Sequence, residues 1–219
     1  SKLLGIFQHK KEEYNRLILQ SLMGGPKTTT QIAEYIYLNR KRAIKPKKLN
    51  RNKVKEIVGI ISRRTKKQKG RLQELETKHY IKKDNNHYQR TMKGWAVALT
   101  LFNDITKALP YIMNKSTQLT IRDIINEVDE IPYLEQFPIA KGLKEKIAEA
   151  LTIGYSPKFV EMLRDCTSDF IHHGVDIDEM DEHEFTVLLM SQVIARYWRT
   201  EWFVRMREIL ERKEGMSHE

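Results

Sequence analysis

The stretch RLQELETKHYIKKDNNHYQRTMKGWAVAL, Arg71 to Leu99, decides the fold. Leu72 and Leu75 mark the end of a helix, Tyr80 and Ile81 a short strand, and Asp84, Asn85, Asn86 and His87 a polar turn. Tyr88 begins a return strand and Thr91 opens a new helix. The pattern predicts a helix that runs into a two-stranded hairpin. Lys82, Lys83 and Arg90 fall on its strands and His87 near its tip. A narrow ribbon mounts cations on both sides, so such a tip reaches phosphates or a minor groove; the plain alternative is an ordinary solvated hairpin.

Charge is divided sharply along the chain. Residues 1–100 hold 25 Lys and Arg against 7 Asp and Glu, a balance of +18, whereas residues 101–219 hold 14 against 22, a balance of −8. Between Arg40 and Arg71 there are 15 cations and one acid, Glu56. A charge run is often no more than a solvated face, but beside a hairpin of this form it suggests a phosphate-binding surface.

Upstream, Tyr14, Leu17, Ile18 and Leu22 share one face of a helix from about Lys10 to Met23, which Gly24, Gly25 and Pro26 terminate. Thr28 to Gln31 has the form of a capping box, opening a second helix striped by Ile32, Ala33, Ile36 and Tyr37. Arg40 to Asn50 is a basic connection containing Pro46, read as a loop or arm. Beyond it Val54, Ile57, Val58, Ile61, Leu72 and Leu75 fall within about 100° of one another on a helical wheel. That phase predicts one long helix from about Asn52 to Lys78, or two helices bent near Ser62. On the wheel Arg63, Lys66, Lys67 and Gly70 face away from the buried side.

Residues 14 to 99 resemble the winged helix-turn-helix domain common in bacterial and archaeal transcription regulators. The resemblance is carried by Leu17 to Leu22 before GGPKTTTQIAEYI, by Leu72-x-x-Leu75-Glu76-x-Lys78-x-Tyr80-Ile81, and by Tyr88-x-x-Thr91-x-Lys93-Gly94. It covers about two fifths of the chain and reaches a fold superfamily, not one regulator. It implies that the helix before the hairpin wing is the recognition helix, and that the Thr-x-Lys-Gly segment starts a helix leaving the wing. The chain departs from the pattern at His79, where a glycine commonly precedes the first wing strand, and at Arg90, where an apolar residue commonly precedes the threonine. The long basic insertion is a further departure.

The second half reads as helical. Trp95, Ala98, Phe102, Ile105 and Leu109 form one stripe of a helix from Thr91 to Leu109; further helices are expected over Thr120 to Val128, Gly142 to Thr152 and, from Ser156 with Pro157 at its first position, to about His172. An acidic capping pattern at Asp181 to Glu184 opens a final helix to Lys213, apolar on much of its circumference between Phe185 and Leu210. Such a helix is buried centrally or shared between chains, so a dimer is expected. The expected fold is therefore mainly α: a winged helix-turn-helix domain with a small β-hairpin wing over residues 1–95, then an all-α helical domain over 96–219 for packing, dimerisation or partner binding.

Little points to catalysis. The single cysteine, Cys166, has no nucleophile motif around it, and a reducing, cytoplasmic setting is expected for a chain with no possible internal disulfide. His172, His173, Asp176, Asp178, Glu179, Asp181 and His183 match no metal-ligand spacing and read as a solvated acidic loop and helix cap. No cofactor, no metal and no catalytic residue is expected. Leu3, Leu4, Ile6 and Phe7 are too short a run for a signal peptide, and no apolar run approaches a membrane span.

The expected function is sequence-specific binding of double-stranded DNA by a homodimeric transcription regulator. Arg63, Lys66 and Lys67 are the expected groove contacts, on a helix near Arg63 to Arg71. Arg51, Lys53, Lys55, Lys82, Lys83 and Arg90 are the expected phosphate contacts, and Arg64, Lys69 and Arg71 complete the basic surface. The competing expectation is an interaction or assembly protein that binds other proteins through the acidic helical half. RNA is a third, disfavoured by the few aromatic residues of the basic region.

Overall fold

The first helix, α1 (Glu12–Leu22), places Glu12 and Glu13 in its opening turn, where carboxylates complement the exposed N–H groups of a helix start. Its buried face carries Tyr14, Leu17, Ile18, Leu19 and Leu22, the expected stripe and one residue more. Asn15 on the same face donates from Nδ2 to the Ile6 carbonyl at 2.6 Å, pinning the short 3₁₀ turn Gly5–Phe7 against α1. The structure, a computed structural model, describes residues 4–8, 12–40, 48–63, 69–102, 157–193 and 195–196.

After a turn through Gly25, whose φ of 112° suits only glycine, come strand β1 (Lys27–Thr28) and helix α2 (Thr29–Asn39). The predicted capping box is formed: the Gln31 amide N–H donates to Thr28 Oγ1 at 3.3 Å, and the Thr28 amide N–H donates to Gln31 Oε1 at 2.9 Å. Residues 41–47 of the basic connection lie outside the described residues.

Helix α3 (Arg51–Ser62) starts at Asn50, whose side chain accepts from the amides of Asn52 and Lys53. It buries Val54, Ile57 and Ile61. One long helix to Lys78 does not form. Arg63 is extended at φ −65°, ψ 121°, and helix α4 (Arg71–Thr77) begins only after Gly70. Of the expected alternatives, two helices bent near Ser62 comes nearer, but the chain leaves the helix there instead of bending within it. Gly70 is buried rather than outward-facing: a Cβ there would sit 3.0 Å from the Arg63 carbonyl oxygen and 3.1 Å from that of Ile61. The shared phase of Ile57 and Leu72 arises because two helices face one core, not because they are one helix.

Strands β2 (Ile81–Asp84) and β3 (His87–Arg90) make the predicted hairpin, paired from Ile81 with Arg90 to Asp84 with His87 around Asn85 and Asn86. Asn85 takes the left-handed conformation, φ 52°, that such a tight turn requires. The hairpin is not alone. Thr28 pairs with His87 and Lys27 with Tyr88, giving a three-stranded antiparallel sheet of order β1-β3-β2. His79, just before the sheet, has φ 59°, which explains why a glycine suits this place.

Thr91 caps helix α5 (Met92–Thr100) by accepting from the Gly94 amide at 3.1 Å, while its own hydroxyl donates to the His79 carbonyl at 2.6 Å. Every residue from Met92 to Leu99 is buried, so α5 is a central helix and not one striped on a single side. Gly94 is required there because any Cβ would collide with the Tyr80 carbonyl. The boundary expected at residue 95 falls inside this helix.

Helix α6 (Pro157–His172) packs on α5, beginning at Pro157 as predicted. Gly174, at φ 73°, follows its end. A 3₁₀ turn, Ile177–Glu179, leads to helix α7 over 182–193, where Asp181 and Glu184 exchange the expected capping hydrogen bonds at 2.8 and 3.1 Å. Glu182 reaches back to accept from the Met92 amide at 2.9 Å, so α7 also caps α5. One continuous core runs from Leu4 to Val193, including an edge-to-face pair of Phe170 and Phe185. The fold is mainly helical with this small sheet. The helices expected over Thr120 to Val128 and Gly142 to Thr152, and the distal parts of the helices from Thr91 and Asp181, lie outside the described residues. Among those described, no helix is long and apolar enough to cross a membrane.

Candidate nucleic-acid interface

Because Val54, Ile57 and Ile61 turn inward, α3 presents Arg51, Asn52, Lys53, Lys55, Glu56, Gly59 and Ile60 to solvent. Lys53 lies 3.4 Å from Glu56, an exposed pair of small energetic weight that leaves the lysine usable by a ligand. Arg63 is exposed at the helix end and Lys69 just before α4. Arg71 is different. Its side chain is only 14% exposed and sits 3.7 Å from Glu74.

Lys55, Arg63, Lys69 and Arg71 line one cleft of about 740 Å³ together with Glu56, Gly59, Ile60 and Ser62. The charge pattern marks these four cations as part of the basic surface but carries no signal for a concavity. It depends on the break at Arg63, which folds α4 back beside α3. The expected groove helix near Arg63 to Arg71 is not a helix at either described end: Arg63 is extended, and Lys69 and Gly70 precede α4. Arg64, Lys66 and Lys67 lie outside the described residues.

On the sheet, Lys82 and Lys83 are exposed on β2, with the Lys83 ammonium 5.8 Å from the centre of the Tyr88 ring. Arg90 is not an outward cation. Its Nη1 donates to the Leu22 carbonyl at 3.4 Å, tying β3 to the end of α1. Arg40, the first cation of the basic run, is likewise engaged, 3.2 Å from Glu13 and stacked 4.9 Å over Tyr14. The available positive surface is therefore narrower than the charge count suggests.

A buried polar knot, for which the sequence carries no local signal, joins Lys93, Tyr80 and Asp178. Lys93 is fully buried, and its Nζ donates to the carbonyls of Lys78 at 2.8 Å, Met180 at 2.6 Å and Asp178 at 3.4 Å. Burial lowers its pKa to about 8. Asp178, expected in a solvated acidic loop, is instead buried: it accepts from the Tyr80 hydroxyl at 2.7 Å and lies 3.2 Å from Lys78 Nζ. Burial, reinforced by that carboxylate, pushes the Tyr80 phenol well up. Cys166 is buried too, its thiol pushed up to about 11, away from the reactive thiolate. No group of three or more His, Cys, Asp and Glu among the described residues could hold a metal ion.

No protein-family model, curated protein or solved structure matches this chain.

Proposed function

We propose that residues 12–102 form a winged helix-turn-helix and that the protein binds double-stranded DNA as a transcription regulator. The observation that carries this reading is the chain order of α1, β1, α2, α3, α4 and a β2–β3 wing, with the open face of α3 and the open strand of the wing both basic. The docking helix in this reading is α3 and not the segment from Arg63 to Arg71. A major groove admits one helix, and residues near its N-terminus reach base edges. Arg51, Asn52 and Lys55 are assigned to the groove. Lys53, Lys82 and Lys83 are assigned to phosphates, the wing pair touching the flank. The reading invokes no cofactor and no catalytic step. A homodimer belongs to it, on the strength of the apolar circumference of the sequence from Phe185 to Leu210.

Selection of bound sequences from a random duplex pool tests the reading. A symmetric motif is expected, and recovery of no motif, with binding insensitive to salt between about 50 and 200 mM, overturns it.

A second reading is favoured by one observation. Leu38, Leu49 and Ile60 are exposed at 48%, 48% and 44% in the same half of the chain as the basic surface. Apolar side chains of this kind suit a protein partner, and a discrete partner recovered with no duplex binding at low salt would replace the first reading with this one.

A further inference from the structure

The cleft between α3 and α4 has features that docking on a duplex does not call for. Lys55, Arg63, Lys69 and Arg71 line a concavity of about 740 Å³. That size is in the range of small-molecule sites. Among the described residues it holds four cations against one carboxylate, Glu56.

Three further observations say what would fit. Arg71 is held in the cleft wall, only 14% exposed and 3.7 Å from Glu74. A cation already fixed in place attracts an anion without the cost of ordering a long side chain. Gly59 sits inside α3, where glycine weakens a helix, yet a Cβ there would meet nothing within 4 Å. No packing explains it, but a bare helix face lets a ligand lie close to the backbone. Ile60 beside it offers an exposed apolar wall.

We propose that this cleft binds a phosphoryl group carried on a nucleotide-sized organic body. The cations take the phosphoryl oxygens, with the exposed, planar Arg63 guanidinium suited to paired hydrogen bonds. Gly59 and Ile60 take the body. A free nucleotide and the 5′-phosphorylated end of a nucleic acid share this chemistry. Lys55 is also assigned to the groove, so either one would compete with a duplex docked on the face of α3.

Calorimetric titration of the full chain separates the possibilities, using ATP, inorganic phosphate, and a short oligonucleotide with or without its 5′-phosphate. ATP, or the 5′-phosphorylated oligonucleotide over its 5′-hydroxyl form, is expected to bind more tightly than inorganic phosphate. Lys55→Gln and Arg63→Gln, at exposed positions that do not threaten the fold, should each weaken that binding about two- to fivefold. Glu56→Gln should strengthen it by a similar factor. Whichever of the two ligands responds identifies the source of the phosphoryl group. The site is overturned if neither binds, or if binding is indifferent to Lys55 and Arg63, or if Glu56→Gln weakens it. Binding of ATP without binding of unphosphorylated duplex would remove the proposed function and leave this site; the converse would remove this site alone.

Discussion

The Lys93 ammonium donates to the carbonyl of Met180, 87 residues further along the chain, at 2.6 Å. The same nitrogen donates to the Lys78 carbonyl at the foot of the hairpin and stands 4.5 Å from the centre of the Tyr80 ring. A single buried charge thus joins the hairpin stem to the turn before α7. Asp178, Glu179 and Asp176 favour its protonated form and Lys78 opposes it, but burial outweighs them and brings it to about 8.

Stability should therefore respond to alkali in two stages. Below about pH 8 folded and unfolded chains both hold the Lys93 proton. Between about pH 8 and its ordinary value of 10.5 the unfolded chain holds more protons, so this residue makes stability rise with pH, by up to about 1.4 kcal/mol per pH unit. Tyr80 acts in the opposite sense. Its phenol is pushed above the ordinary 10.0, so beyond that pH the folded chain holds more protons and stability falls. Thermal melts should show Tm climbing toward about pH 10 and dropping beyond it, and Lys93→Met should lose the climb alone. A steady fall from pH 8 in the unaltered protein would contradict the arrangement.

Gly94→Ala should be severely destabilising, by about 3 kcal/mol or more, since the added methyl meets the Tyr80 backbone and not a side chain that could swing away. Urea denaturation measures this as a lowered midpoint. An unchanged midpoint would mean that α5 does not approach Tyr80 so closely.

Gly59→Ala should do the reverse, raising stability by about 1 kcal/mol, because the position is helical and the methyl enters open space. A gain in midpoint accompanied by weaker ligand binding in the cleft is the expected pair of results. A loss of stability would show that the helix face at this position is already in contact.

At His79 the left-handed backbone makes the sign depend on the replacement. His79→Val should cost about 1–2 kcal/mol, a β-branched residue being poorly suited to φ 59°, while His79→Gly should be neutral or stabilising. Equal effects of the two in chemical denaturation would exclude backbone strain as the reason.

Arg90 and Lys83 occupy the same sheet yet should separate cleanly. Arg90→Gln removes the donor to the Leu22 carbonyl and should lower Tm with little change in duplex affinity. Lys83→Gln should leave Tm in place and reduce the slope of affinity against salt by about one counterion. Exchange of these two phenotypes, read by melting and by fluorescence anisotropy, would reverse their assignments.

Local signals in the sequence were read well where the chemistry is local. The Thr28–Gln31 box, the Thr91 cap, the Asp181–Glu184 pair and the hairpin turn at Asn85 each depend on residues three or four apart, and each is formed. Periodicity failed where two elements share a phase. Val54, Ile57, Ile61, Leu72 and Leu75 all face the core, so periodicity alone does not decide between one long helix and two that part near Ser62, and it carries no signal for the cleft. β1 was missed because two residues are too few to alternate. The inward turns of Arg90 and Asp178 were missed because their partners, Leu22 and Tyr80, lie 68 and 98 residues away. No spacing rule connects them.

Thr28 does two jobs at once, pairing with His87 on β3 and capping the start of α2. The hairpin is thus clamped to the same residue that orients the helix packed against α3, and its span from α3 cannot change without unpairing β1. In the proposed regulator that span acts as a fixed caliper. A duplex whose groove width does not match would have to deform to be held, so sequences would be sorted by their stiffness at positions the protein never touches.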